Sequence, residues 1–178
     1  MYSTRVGYAG GKTKNPTYYT IGDHSETIEI MYDPTVISYR ELLDIFWNSH
    51  NPYSKPYSKQ YMSIIFYHTP EQRNAALQTI KEQEKSAGKK IYTRIEKAVD
   101  FYEAETYHQK YTLKQYPDIM GDLLRYYSGE EELTRSAAAA KINGYLAGEG
   151  TVKELKEILP LLGLSKQSED RLLKRASR

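Results

Sequence analysis

The chain has 178 residues with a formal net charge of +2, and 39% of the residues are hydrophobic. This length suits one domain with a hydrophobic core, alone or with an appendage. The charge is small and interspersed with acids, as in Lys81-Glu82-Gln83-Glu84-Lys85, which argues against nucleic-acid binding. The start is polar and no apolar run approaches the ~20 residues that cross a bilayer, so we expect no signal peptide, no membrane span and a cytoplasmic protein.

The most unusual features of the composition are the absence of cysteine and the abundance of tyrosine, with 18 tyrosines against three phenylalanines and one tryptophan. A chain without cysteine forms no disulfide, no thiolate metal site and no thiol redox couple of its own. Most tyrosines are expected to pack at the edge of the core with their hydroxyls in water, and a few could line a polar site.

The stretch from Thr4 to Asp33 carries the densest pattern in the chain. An extended segment enters a turn near Gly10, where consecutive glycines supply backbone angles that other residues resist. Pro16 predicts a loop with Asn15 extended. From Thr27 the residues alternate, with Ile28 and Ile30 on one face, which predicts a half-buried strand that ends at Asp33-Pro34.

Glu26 lies at the mouth of this strand, beside a tyrosine-rich loop. Partial burial would raise the pKa of such a carboxyl group toward neutrality, and tyrosine hydroxyls can bind an oxygen that becomes charged or protonated, so Glu26 is a candidate general acid. The alternative is that an acid close to a histidine is only a turn residue.

The middle of the chain predicts alternating helices and strands. A capping box formed by Ser38 and Glu41 opens an amphipathic helix that runs to Ser49. Residues 50–57 contain two prolines and predict a loop, and residues 61–67 predict a strand. A second helix is predicted from Thr69, with Gln72 completing a capping box and Gly88 ending it. The strand predicted at 91–98 completes an order typical of a small sheet covered by helices.

The segment from Phe101 to Tyr111 predicts a helix that ends near Pro117. In a helix, Glu105 and His108 would share one face and could contact a metal ion. Two ligands do not make a site, so we predict no metal and no cofactor.

The last part of the chain, residues 121–178, predicts a helical extension docked on a domain of residues 1–120. A short helix is predicted at 121–127, a break at 128–132, a helix at 133–146, and another that opens with a capping box of Thr151 and Glu154. Residues 165–173 predict a final turn or two, and residues 174–178 are expected to fray. The extension could dock on the sheet, cover a site or bind a protein partner.

Six motifs occur in an order that resembles the A-type peptide methionine sulfoxide reductases, from about Thr4 to about Tyr116. They are VGYAGG, NPTYY, DHSETIEIMYDP, ISYRELLDIFWNSHNP, QYMSIIFYHTPEQ and FYEAETYHQKY. The resemblance implies an α+β fold, a ferredoxin-like two-layer sandwich in which a small mixed sheet is covered by helices. It also implies a monomer.

The resemblance further implies thiol-dependent reduction of the S-epimer of methionine sulfoxide in oxidised proteins. In this family Glu26 would be the proton donor, and Tyr18 and Tyr61 would hold the sulfoxide oxygen, with Tyr61 on the strand at 61–67. Thioredoxin or another thiol would restore the enzyme. The family's nucleophile is a cysteine in a Gly-Cys-Phe-Trp motif upstream of the glycine turn, and neither this motif nor the aspartate that usually precedes the Gln-Tyr pair occurs here.

Two hypotheses follow from these observations. In the first, the chain is a reductase whose sequence begins after the nucleophile. In the second, it is a non-catalytic relative whose polar notch of Glu26, Tyr18 and Tyr61 binds oxidised methionine, or which binds a protein partner.

Overall fold

The computed structural model of the chain describes residues 3–177. These residues form two compact units: an N-terminal unit of residues 6–104, and a C-terminal unit of residues 105–177 together with residues 3–5. The domain boundary after residue 120 stays a prediction. Among the described residues no helix is both long and apolar enough to cross a lipid bilayer.

The β-structure consists of two small sheets. The first has the order β2-β1-β5 and the second pairs β3 with β4. β1 and β5 are antiparallel, with Gly7 opposite Glu103, and β3 and β4 are parallel. The strands are β1 (Ser3–Ala9), β2 (Ser25–Met31), β3 (Ile64–Tyr67), β4 (Arg94–Lys97) and β5 (Tyr102–Glu103). The α+β class with mixed strand pairing is therefore confirmed, although the strands form two sheets instead of one.

Two helices cover the N-terminal unit, α1 (Tyr39–Asn48) and α2 (Pro70–Ala87). Both predicted capping boxes are confirmed: Ser38 and Glu41 exchange bonds at the start of α1, and Thr69 and Gln72 do so at α2. Gly88 ends α2 in the left-handed conformation with φ +62°, as helix C-caps prefer. The core between these helices and the second sheet contains Leu43, Trp47, Ile65, Ala76 and Ile91.

Several local predictions in this unit are wrong. Asn15 is not extended but has φ +48°, a left-handed conformation that asparagine tolerates better than most residues. Strands β3 and β4 are each only four residues long, so Tyr61 precedes β3 instead of lying on it. Ile28 is 57% exposed, although the alternation of residues predicted that it lies on a buried face, so that face of β2 is not fully covered.

The predicted helix over residues 101–111 is also wrong. Residues 102–103 form β5, residues 106–108 form a 3-10 helix (Thr106–His108), and α3 (Tyr111–Lys114) is a separate short helix. The Ala104 amide donates to the Val6 carbonyl at 3.0 Å. Because the backbone here bonds to β1, its groups are not available for an intrahelical ladder.

The C-terminal unit is helical. Besides α3 it contains α4 (Pro117–Leu123), α5 (Glu130–Thr134), α6 (Ala137–Ala147), α7 (Val152–Ile158), a 3-10 helix (Leu159–Leu161) and α8 (Lys166–Ala176). The capping box of Thr151 and Glu154 is confirmed. The predicted single helix over 133–146 is wrong, because Ser136 accepts a bond from the Ala139 amide at 3.0 Å and starts α6 there. The predicted break at 128–132 contains the start of α5 at Glu130.

The helical end of the chain is longer than predicted. α4 begins at Pro117 instead of residue 121, and α8 continues through residues 174–176 that were expected to fray. Arg178 lies outside the described residues. The unit has its own core, whose fully buried members include Leu113, Ile119, Leu133, Ile142, Leu146, Leu155 and Leu172.

Asp122 on α4 fixes the start of α8. Its carboxylate accepts bonds from the Ser165 amide at 2.8 Å and the Ser165 hydroxyl at 2.6 Å. These bonds lower the pKa of Asp122 from 3.8 to about 2.

This pKa predicts an acid-dependent loss of stability. Since the folded pKa lies below the ordinary value, the carboxylate's contribution is complete above pH about 5 and is lost as the pH falls toward 2. Asp122→Asn should lower the free energy of unfolding near neutral pH and differ less from the wild type near pH 2. Urea unfolding at a series of pH values measures this difference. Glu157→Gln, which removes an exposed carboxylate from the same unit, is the control. Parallel curves for the wild type and Asp122→Asn across this range would contradict the assignment.

Candidate functional site

Glu26 is held at the start of β2 by the turn at residues 59–60. The Ser25 hydroxyl donates to the Lys59 carbonyl at 2.6 Å, and the Glu26 amide donates to the Gln60 carbonyl at 2.9 Å. The Gln60 side-chain amide in turn donates to Glu26 Oε1 at 2.8 Å. Gln60, 34 positions later in the chain, therefore holds Glu26 at both its backbone amide and its carboxylate.

The two predicted tyrosines lie in the same cluster. Gln60 Nε2 also donates to the Tyr61 hydroxyl at 3.2 Å. Tyr18 and Tyr61 are linked by a side-chain hydrogen bond, which is the main reason that the pKa of Tyr61 lies above its ordinary value of 10.0. The structure thus brings together Glu26, Tyr18 and Tyr61, with Gln60 as the connecting residue.

Like any tyrosine, Tyr61 keeps its phenol proton at neutral pH, and it can therefore donate a hydrogen bond to an acceptor oxygen. Tyr18 is 38% and Tyr61 48% exposed, so both side chains are accessible. Glu26 is exposed as well. The partial burial expected for its carboxyl group is therefore wrong.

Local hydrogen bonds fix the position of Tyr18. A 3-10 helix (Tyr18–Thr20) begins after Thr17, which forms a capping box with Thr20. The Thr17 amide donates to the Thr20 hydroxyl at 3.1 Å, and the Thr20 amide donates to the Thr17 hydroxyl at 3.2 Å. This short helix interrupts the predicted loop and presents the Tyr18 side chain from a defined backbone.

Sequence reasoning missed the residues that hold the glycine turn. The Asp23 carboxylate accepts bonds from the Lys12 amide at 2.8 Å, the Thr13 amide at 3.1 Å and the Thr13 hydroxyl at 3.0 Å. The two backbone amides lower the pKa of Asp23 most. Backbone amides in a tight turn require hydrogen-bond acceptors. A search for a nearby carboxylate to accept from the glycine turn could therefore have identified Asp23 from the sequence.

His24 completes the same support from a fully buried position, with 0% exposure. Its Nδ1 accepts from the Gly11 amide at 3.2 Å, and its Nε2 lies 2.8 Å from the Thr13 carbonyl. A carbonyl accepts only, so we assign the proton to Nε2 and a neutral ring. His24 is thus a structural residue at the glycine turn.

The glycine turn itself leaves no space for side chains. Gly10 has φ +82°, and a Cβ there would lie 2.8 Å from Cζ of Phe66. A Cβ on Gly11 would lie 2.5 Å from Asp23 Oδ1. The backbone therefore passes close to β3 and to the Asp23–His24 support only because these positions are glycine.

The other candidate pair, Glu105 and His108, lies in the C-terminal unit. Glu105 Oε2 and His108 Nε2 are 3.9 Å apart across a 3-10 turn. Within residues 3–177 no group of three histidine, cysteine or acidic side chains is placed to hold a metal ion. The pair therefore has too few ligands for a metal centre.

The glycine turn provides a direct stability test. Gly10→Ala adds a methyl group against Phe66 at a left-handed position, and we expect it to cost about 1–3 kcal/mol of the free energy of unfolding. Gly121→Ala in α4 is the control, because nothing lies within 4 Å of its added Cβ and alanine favours helix. Equal urea midpoints for the two variants would show that the turn is not constrained as described.

Comparison with known proteins agrees with the sequence resemblance. A family profile described as peptide methionine sulfoxide reductase matches residues 1–141. The peptide methionine sulfoxide reductase of Drosophila melanogaster is 45% identical over 164 residues, which are 91% of this chain and 65% of that protein. Peptide methionine sulfoxide reductase A5 of Arabidopsis thaliana is 41% identical over 81% of this chain and 58% of its own length. The chain thus spans about three fifths of these relatives.

Solved structures show the same fold. Reduced Mxr1 from Saccharomyces cerevisiae superimposes with a TM-score of 0.59 at 32% identity, covering 64% of this chain and 71% of that one. Methionine sulfoxide reductase A of Corynebacterium diphtheriae gives a TM-score of 0.55 at 32% identity, covering 64% and 63%. The fold expected from the six motifs is confirmed.

Proposed function

Because the chain belongs to the peptide methionine sulfoxide reductase family, we propose that it acts in the reduction of the S-epimer of methionine sulfoxide in proteins. The observation that carries this proposal is the cluster in which Gln60 bonds both Glu26 and Tyr61, with Tyr18 bonded to Tyr61. This cluster presents one carboxyl group and two phenols at an accessible surface. These are the groups that a polar S–O bond requires for binding and protonation.

Each side chain has a distinct part in the proposed reaction. The hydroxyls of Tyr18 and Tyr61 donate hydrogen bonds to the sulfoxide oxygen, and Glu26 delivers a proton to it. Protonation weakens the S–O bond and makes the sulfur electrophilic. A thiolate then attacks that sulfur, the hydroxyl passes to the thiol sulfur, and methionine leaves while a sulfenic acid remains. The substrate sulfur is reduced by two electrons and the thiol sulfur is oxidised by two.

The thiolate in this scheme comes from outside these 178 residues, because they contain no cysteine. The described residues supply substrate binding and proton delivery only. Two further thiols, such as those of thioredoxin, would reduce the sulfenic acid and release water. Thioredoxin as reductant, the monomeric state and the cytoplasmic location stay predictions.

The non-catalytic alternative is not favoured. The relatives that the chain resembles are named as reductases, which favours an enzyme over a binding protein.

A Glu26→Gln substitution tests the proton-donor role. The protein is extended at its N-terminus with a Gly-Cys-Phe-Trp segment from a relative, and turnover of the S-epimer of a methionine sulfoxide peptide is measured with excess dithiothreitol. Glutamine keeps the shape but cannot release a proton, so kcat should fall on the order of 10²–10⁴-fold. The KM should change much less, because both tyrosines remain.

Glu149→Gln, which removes an exposed carboxylate from the C-terminal unit, should leave kcat unchanged. Wild-type kcat in Glu26→Gln, with the extended parent active, would exclude Glu26 as the proton donor. An extended parent that binds the S-epimer no better than the R-epimer would contradict the proposed function as a whole.

A further inference from the structure

Positive charge is concentrated in two segments of the N-terminal unit. The sequence contains no carboxylate between Asp44 and Glu71, and none between Glu84 and Glu96. The cations in these two segments, apart from histidines, are Lys55, Lys59, Lys85, Lys89, Lys90 and Arg94. Both segments therefore have a local excess of positive charge.

The fold brings part of the two segments together. The Tyr92 amide donates to the Pro52 carbonyl at 2.9 Å and joins the loop after α1 to the loop after α2. Lys55 and Lys90 each lie with Nζ 5.8 Å from the centre of the Tyr92 ring. Lys89 Nζ lies 5.9 Å from the centre of the Tyr53 ring. We call Tyr53, Lys55, Lys89, Lys90 and Tyr92 the lysine platform.

The platform lysines have no acidic partners in the part of the chain that the structure describes. Lys59, by contrast, lies 3.7 Å from Asp23, and Arg94 lies 2.5 Å from Glu96. Lys55, Lys89 and Lys90 are all exposed. The tyrosine rings attract the ammonium groups without neutralising them, so the positive charge of the platform remains available to an anion.

The platform is continuous with the candidate site along one loop. Lys55 lies two residues before Tyr57, whose ring centre is 5.5 Å from that of Tyr61. Six residues of extended chain span at most about 20 Å. A peptide of ordinary length that places one side chain against Tyr61 can therefore place a neighbouring stretch against Lys55.

We propose that the lysine platform binds a carboxylate-rich flank of the polypeptide substrate and so favours methionine sulfoxide residues that lie in acidic sequences. This inference rests on the proposed function for the identity of the substrate. We choose an acidic partner because its charge is complementary to the platform. Three ammonium groups without acidic partners attract several carboxylates, and the aromatic rings hold the ammonium groups at the surface.

Nucleic acid fits the same surface less well. The faces of Tyr53 and Tyr92 that carry lysine ammonium groups are not free to stack on bases, and stacking supplies much of the affinity for single strands. Three lysines also neutralise few phosphates. An acidic peptide needs only the ammonium groups.

The test uses the 178-residue chain and fluorescein-labelled 14-residue peptides with one central methionine. One peptide carries four glutamates on one side of it, and its partner carries four glutamines. We expect the acidic peptide to bind at least fivefold more tightly in fluorescence anisotropy at low salt, with the advantage shrinking as salt is added. Lys55→Gln/Lys89→Gln/Lys90→Gln should remove most of this advantage.

Two matched variants separate local from general charge effects. Lys55→Arg/Lys89→Arg/Lys90→Arg keeps the charge and should retain the preference. Lys141→Gln/Lys153→Gln/Lys156→Gln removes three exposed lysines from the C-terminal unit and should also retain it. Equal binding of the two peptides to the wild type overturns the proposal, as does an equal loss in the two glutamine triples. Tighter binding of a 14-nucleotide single strand that the platform triple abolishes overturns it in favour of nucleic acid.

The same peptides distinguish failure of this proposal from failure of the proposed function. Each is prepared with methionine and with its S-sulfoxide. A preference for glutamate that does not depend on oxidation supports the platform. A preference for the S-sulfoxide that does not depend on glutamate supports the candidate site, and it survives in the platform triple.

Discussion

The candidate site depends on the contact between the start of β2 and the turn at residues 59–60. The buried Ser25 hydroxyl bonds the Lys59 carbonyl, the Glu26 amide bonds the Gln60 carbonyl, and the Gln60 side chain returns to the Glu26 carboxylate. Backbone and side-chain bonds therefore act on the same two residues. Without this contact Glu26 would lie at the edge of one sheet with no fixed relation to Tyr61.

A second set of bonds holds the loop that leads to Tyr18. Asp23 and His24 immediately precede this contact in sequence, and they accept hydrogen bonds from the amides of residues 11–13. The segment from Asp23 to Glu26 therefore connects the glycine turn to the turn at 59–60, and Gln60 links this segment to Tyr61. Both ring nitrogens of His24 bond the glycine turn, and Asp23 accepts from backbone amides. Glu26 is therefore the side chain of this segment that remains for the proposed proton transfer.

The features that the sequence predicted well are those whose causes are local. The capping boxes at Ser38, Thr69 and Thr151 each need only residues three apart, and all three occur as expected. Features set by distant partners were missed. Residues 102–104 precede a 3-10 helix in sequence, but they bond to β1. The Glu26–Gln60 pair joins residues 34 positions apart. Glu26 was a candidate from its position beside a tyrosine-rich loop, whereas Tyr18 and Tyr61 were specified by the family resemblance. The sequence did not predict that Gln60 would join Glu26 to Tyr61.

The most direct test of this account is an NMR titration of the isotope-labelled 178-residue chain with the separate S- and R-epimers of N-acetylmethionine sulfoxide methyl ester. This measurement requires no thiol and no added segment. We predict that the S-epimer shifts the signals of Tyr18, Glu26, Gln60 and Tyr61 at concentrations where the R-epimer does not. Equal shifts with both epimers, or shifts confined to residues outside this cluster, would contradict the claim that these residues form the sulfoxide-binding part of a reductase.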